Sequence, residues 1–188
     1  MTNARVSFIN AAPPHPALVP TVSIHAHSST VIDAPISHVW SVMTNFAGYG
    51  DWNPFVPRFE FARPGAEPAP GQVVFYYSRW IDAPNGALRQ NRGVITRFDP
   101  PPAEVSAAAP REAQLAYRFS TWLATARLVL ATRQQSLREL PDGRTEYVTH
   151  EEFRGLLFML IPLGRVQAGF DANAAALKKY CEETAPTP

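Results

Sequence analysis

Glu151 is a carboxylate in an apolar row. The stretch TEYVTHEEFRG, residues 145–155, alternates as a strand does. Tyr147, Thr149, Glu151 and Phe153 fall on one face, and Val148, His150, Glu152 and Arg154 on the other. Upstream, LRELPDGRTEY places Pro141, Asp142 and Gly143 between two strand-like runs. Proline presets the first turn angle and glycine supplies a positive φ, so the three form a hairpin loop. Closing it between Leu140 and Arg144 sets Leu137 against Tyr147, Gln135 against Thr149 and Arg133 against Glu151. A loop one residue longer would bring Gln134 or Gln135 to Glu151 instead. An arginine directly across from a buried carboxylate is a structural ion pair or a polar pair on a cavity wall. On a cavity wall the arginine would polarise a ligand oxygen and the carboxylate would move a proton. Arg133 would also lower the pKa of Glu151, favouring a base over an acid.

Few other residues carry chemistry. Tyr117 shares the apolar face of its run with Leu115 and Phe119, and its hydroxyl needs a partner if buried. Trp122 follows at the end of that run, at a pocket edge or in solvent. His150 neighbours Glu151 but points the other way, and His25, His27 and His38 are scattered. No spacing of His, Cys and acidic residues resembles a zinc site, and Ser28 and Ser29 lack a nucleophile elbow. There is no glycine-rich phosphate loop or dinucleotide fingerprint. Neither a metal nor another cofactor is expected.

The elements that must hold these residues follow from periodicity. Residues 1–20, with Pro13, Pro14, Pro16 and Pro20, read as a tail, 21–184 as one domain, and 185–188 as a second tail. A β-branched run covers 22–32. DAPISHVWSVMTNF then changes to helical spacing, with Pro35 suited to the first helical position and Asp33 near the positive end of the dipole. Six further strand-like runs follow, at 55–62, 71–80, 92–99, 113–120, 127–140 and 145–155. Over 164–183, Val166, Phe170, Ala174 or Asn173, Leu177 and Cys181 recur at helical spacing, which predicts a long closing helix. An antiparallel sheet burying its inner face on that helix is an α+β architecture.

Composition narrows the partners. Of 188 residues 46% are hydrophobic, enough for a full core, and only 18% are charged, with a net charge of +1. That balance gives no reason to expect nucleic acid or an anionic membrane. The single cysteine, Cys181, forbids an intrachain disulfide and fits a reducing compartment. The longest apolar run, GLLFMLIPLG, is half the length of a membrane span and holds a proline. No signal peptide is evident, so a cytoplasmic location is expected.

Four stretches resemble the helix-grip superfamily of START lipid-transfer domains, plant pathogenesis-related allergens and bacterial aromatic polyketide cyclases. They are STVIDAPISHVWSVMTNFAGYGDWNPF, GVITRFDPP, DGRTEYVTHEEFRG and GFDANAAALKKYCEE. The resemblance runs from about Val22 to Glu183. It implies a seven-stranded antiparallel sheet wrapped around the long C-terminal helix, with two short helices and an internal hydrophobic cavity. Within that fold Trp52 is a cavity-wall or core residue, Phe170 faces the sheet, and Asn173 meets a ligand oxygen or solvent. The substrate-binding set is then Trp52, Tyr117, Trp122, Gln135, Tyr147, Thr149, Phe170 and Asn173, around Glu151 and Arg133 as the catalytic pair. The expected activity is cofactor-free cyclisation, isomerisation or dehydration of a hydrophobic small molecule such as a polyketide or terpenoid. The alternatives are a non-catalytic carrier of a lipid or metabolite and, less favoured, a protein-interaction module. A homodimer is left open.

Overall fold

The computed structural model describes residues 23–103 and 110–186; the predicted tail at 1–20 lies outside them, as do the last two residues of the one at 185–188. One antiparallel sheet has the strand order β1-β7-β6-β5-β4-β3-β2. Its strands are β1 (Ile24–Ile32), β2 (Arg58–Phe61), β3 (Val73–Ser78), β4 (Arg89–Asp99), β5 (Glu112–Phe119), β6 (Leu130–Glu139) and β7 (Thr145–Arg154). Helices α1 (Ile36–Thr44) and α2 (Tyr49–Trp52) link β1 to β2, a single turn α3 (Trp122–Thr125) links β5 to β6, and α4 (Leu163–Thr184) closes the chain. This is the helix-grip fold.

Helix α4 buries Val166, Phe170, Asn173, Ala174, Leu177 and Cys181, the stripe that the spacing predicts. It runs along β1 and roofs the concave face of the sheet. At Gly169 an added Cβ would lie 2.4 Å from the Phe55 ring, so only hydrogen there lets that ring dock. Phe55 then meets Phe170 edge-on at 6.0 Å.

Several boundaries differ from expectation, and three of them have a local reason. Pro35 is the N-cap of α1 rather than its first residue, with ψ of 145°. No side chain caps the first turn by a hydrogen bond, and the Asp33 N–H donates to Glu182 Oε1 on α4 at 2.8 Å. The second strand begins at Arg58, because Asn53 Oδ1 accepts the N–H groups of Phe55 (3.1 Å) and Val56 (2.8 Å) and curls them into a turn. The sixth begins at Leu130, after the α3 turn and Arg127, whose φ of 56° breaks the extended run.

The last hairpin closes as the turn residues dictate. Leu140 N–H donates to Arg144 O at 2.8 Å, and Gly143 has φ of 85°. The register is Leu137–Tyr147, Gln135–Thr149 and Arg133–Glu151.

Candidate active site in the sheet cavity

One row of side chains crosses five strands: Ile95, Tyr117, Arg133, Glu151 and Ala26, each opposite the next. Above part of this row lies a cavity of about 200 Å³. Arg133, Glu151 and Tyr117 form its polar floor, and Phe55, Val56 and Val166 close it from the helical side. Tyr76 on β3 stands 5.3 Å from Tyr117, ring centre to ring centre. Toward the mouth Ser78 and Asn91 add a second polar spot, with Asn91 Nδ2 donating to Ser78 Oγ at 3.1 Å. At the rim Arg89 stacks on Trp80, 3.6 Å from guanidinium carbon to ring centre.

Arg133 is 4% exposed and held on two sides. Its Nε donates to Thr149 Oγ1 at 3.2 Å, and its guanidinium carbon sits 4.3 Å from the centre of the Phe170 ring. Its Nη2 is buried with no hydrogen-bond partner. Burial alone would lower the arginine pKa, but its surroundings, the Glu151 carboxylate among them, outweigh that and the group stays charged. A buried cationic donor without an acceptor costs free energy unless something in the cavity accepts from it.

Glu151 makes no ion pair within 4.0 Å and no side-chain hydrogen bond among the described residues. It is half-buried and lines the cavity. Burial pushes its pKa up to about 7, with the nearby Arg133 charge pulling against it. Arg133 pulls the value down as expected, but desolvation exceeds that attraction, so the net shift is upward and not the lowering that would favour a permanent base. The result is a carboxyl that holds or releases a proton near neutrality. Burial also raises Tyr76 well above a free phenol, with the Glu151 charge adding to it, and raises Tyr117. Both stay neutral donors.

Of the expected binding residues only Tyr117 joins Arg133 and Glu151 on the cavity wall. Gln135, Tyr147 and Asn173 form a chain beneath α4 instead. Asn173 Nδ2 donates to Tyr147 Oη at 3.1 Å, and Tyr147 Oη donates to Gln135 Oε1 at 2.9 Å. Asn173 is 1% exposed, so it faces neither solvent nor the cavity, and its Oδ1 is unpartnered. Thr149 and Phe170 act on the site by orienting Arg133. Trp52 is core, packed edge-on against Tyr49 at 5.2 Å. Trp122 is 72% exposed on α3, because that turn lifts it off the sheet. His150 lies on the outer face, where its ring stacks on His25 with nitrogens 3.2 Å apart.

Sequence reasoning misses Tyr76, Ser78 and Asn91. GQVVFYYSRW is apolar on both faces, so alternation does not say which side of β3 looks inward. Among the described residues no group of three or more His, Cys, Asp or Glu side chains could hold a metal ion.

A family model described as polyketide cyclase / dehydrase and lipid transport matches residues 23–182. The chain belongs to that family. This polyketide cyclase / dehydrase family protein is similar in structure to the di-domain ARO/CYC BexL from the BE-7585A biosynthetic pathway, with a TM-score of 0.58 and 19% identity. The match covers 90% of this chain and 52% of BexL, so the chain spans about half of that di-domain protein. It is similar also to the Zhui aromatase/cyclase from Streptomyces sp. R1128, with a TM-score of 0.58 and 18% identity over 86% of this chain and 95% of that one. Norcoclaurine synthase from Thalictrum flavum, in complex with dopamine and hydroxybenzaldehyde, gives a TM-score of 0.55 and 14% identity over 96% and 100% of the two chains. No curated protein matches. At these identities the solved structures establish the fold that this family member shares with them. Family membership makes it a helix-grip protein for hydrophobic ligands, and no helix among its described residues is long and apolar enough to cross a membrane.

Proposed function

We propose that this protein is a cofactor-free enzyme that folds a hydrophobic small molecule in its cavity and cyclises, isomerises or dehydrates it. A polyketide, terpenoid or similar secondary metabolite is the substrate class. The observation that carries the proposal is the pairing on one row of a carboxyl near its neutral point and a buried cationic donor with a free N–H.

The two groups divide one reaction between them. Ionised Glu151 takes a proton from carbon next to a substrate carbonyl. The C–H electron pair moves into the new C–C double bond, and negative charge collects on the carbonyl oxygen. Arg133 Nη2 donates to that oxygen, a preorganised contact that strengthens as the charge develops. Protonated Glu151 then returns the proton, to another carbon for isomerisation or to a departing hydroxyl, which leaves as water. Proton transfer of this kind contributes roughly 10²–10⁴-fold. The aromatic wall adds the rate gained by holding a flexible chain near its reactive geometry. Neutral Tyr76 and Tyr117 supply further donors to substrate oxygens.

A non-catalytic carrier is the second reading, favoured by the predominantly aromatic and aliphatic wall, which would hold a ligand without altering it. The two separate by native mass spectrometry of the protein after exposure to a lipophilic extract of its source cells, followed by analysis of the released molecule. An enzyme releases a ring-closed, dehydrated or isomerised product; a carrier releases what it bound.

A further inference from the structure

Every exposed large hydrophobic side chain among the described residues lies at one end of the molecule. Leu156 and Met159 are 80% exposed, Leu160 77% and Trp122 72%; the other three, Leu88, Leu130 and Leu157, flank them. Leu130 is the first residue of β6, and the other six come from three separate connections: β3–β4, β5–β6 and β7–α4. Backbone bonds join two of these, with Leu157 N–H donating to Leu128 O at 2.8 Å. Trp80, Val129 and Ile161, from these same connections, line the cavity at this end. Charge is gathered there too. Segments 79–92, 118–130 and 152–165 hold seven arginines and two carboxylates, Asp82 and Glu152, in a chain whose net charge is +1. Both carboxylates are already paired, Asp82 with Arg165 at 2.9 Å and Glu152 with Arg154 at 2.5 Å.

We propose that this end docks on an anionic lipid surface, with the cavity mouth turned to the bilayer. Leucine and methionine enter the acyl boundary, tryptophan sits at the headgroup level, and the arginines meet lipid phosphates. A second copy of this chain is a poor occupant, since a two-fold contact would set arginine against arginine. Residues 1–22 are no better, holding Arg5 and no carboxylate. Protruding side chains from three loops suit a lipid layer that moulds itself to them better than a packed protein interface. A bilayer contact would let a hydrophobic ligand pass between membrane and cavity without crossing water.

The test is co-sedimentation of the full chain with vesicles of phosphatidylcholine alone and of phosphatidylcholine with phosphatidylglycerol. Binding is expected to the anionic vesicles, to weaken as salt is raised, and to fall about tenfold or more in the double variant Leu156→Glu, Met159→Glu. Both side chains stand in solvent, so an unchanged unfolding temperature confirms that the variant is folded. No binding to anionic vesicles, equal binding to both vesicle types, or equal binding by the double variant overturns the proposal. In that case an acidic protein becomes the fitting partner for this face. The readout uses no ligand and is independent of the chemistry proposed for Glu151.

Discussion

Arg133 and Glu151 stand directly opposite each other on neighbouring strands, yet the arginine spends its Nε on Thr149 and its face on Phe170. The carboxyl is thereby left in a place where burial outweighs attraction, and its pKa is pushed up to about 7. A tight ion pair in the same row would have fixed Glu151 as a permanent anion and Arg133 as its counter-ion. The looser arrangement leaves one group able to exchange a proton and the other able to bind an oxygen.

Stability should fall with rising pH on account of Glu151. Below its ordinary value of 4.5 the carboxyl is protonated in both folded and unfolded chains and has no effect. Between 4.5 and about 7 the unfolded chain ionises while the folded one keeps its proton, and stability is lost across that window. The full difference is about 3 kcal/mol. Denaturant titrations across this range should show the loss in the wild type, and Glu151→Gln should remove it and be the more stable protein at alkaline pH.

Arg133→Met tests the opposing pull of the guanidinium charge. A buried charge replaced by an apolar side chain of similar length leaves a folded protein, because the desolvation cost of the guanidinium is removed with it. The midpoint of Glu151, followed by carbon NMR of its carboxyl, should move above 7. An unmoved midpoint would mean that the arginine charge is not felt at Glu151.

The register around these two residues was legible because Pro141, Asp142 and Gly143 specify the loop, and a loop length fixes every pair beyond it. The helical stripe of α4 was legible for the same kind of reason, a local period. The pKa of Glu151 was not, since it depends on Phe55, Tyr76 and Val166 closing over it from three distant segments. Nor was the division of the polar row. Gln135, Tyr147 and Asn173 have the residue types of a binding site, and only the position of α4 shows that they bond one another. Net charge likewise hid the arginines gathered around the mouth, which lie in three stretches far apart in sequence.

Tyr147→Phe should reveal that chain as structural. It strands Asn173 Nδ2 and Gln135 Oε1, both buried, at a cost of about 1–3 kcal/mol. Ligand affinity at the cavity should change far less than stability, since none of the three lines it. Thermal unfolding and a binding isotherm on the same variant check both halves.

Gly169→Ala forces a choice between helix and ring. Its new methyl would overlap Phe55. Overpacking of this kind costs about 1–3 kcal/mol, partly offset by about 1 kcal/mol of helix propensity. Phe55 must turn into the cavity or push α4 away. Adding Phe55→Leu should restore the unfolding temperature, and a double-mutant cycle that showed simple additivity would rule out the contact as the cause.

The most direct measurement compares turnover by the wild type and by Glu151→Gln on the metabolite that the protein captures. The account predicts that both bind it, that the wild type releases an altered molecule with a rate that titrates near pH 7, and that Glu151→Gln releases it unchanged. Conversion at the same rate by both proteins, or release of an unchanged molecule by the wild type, would contradict it.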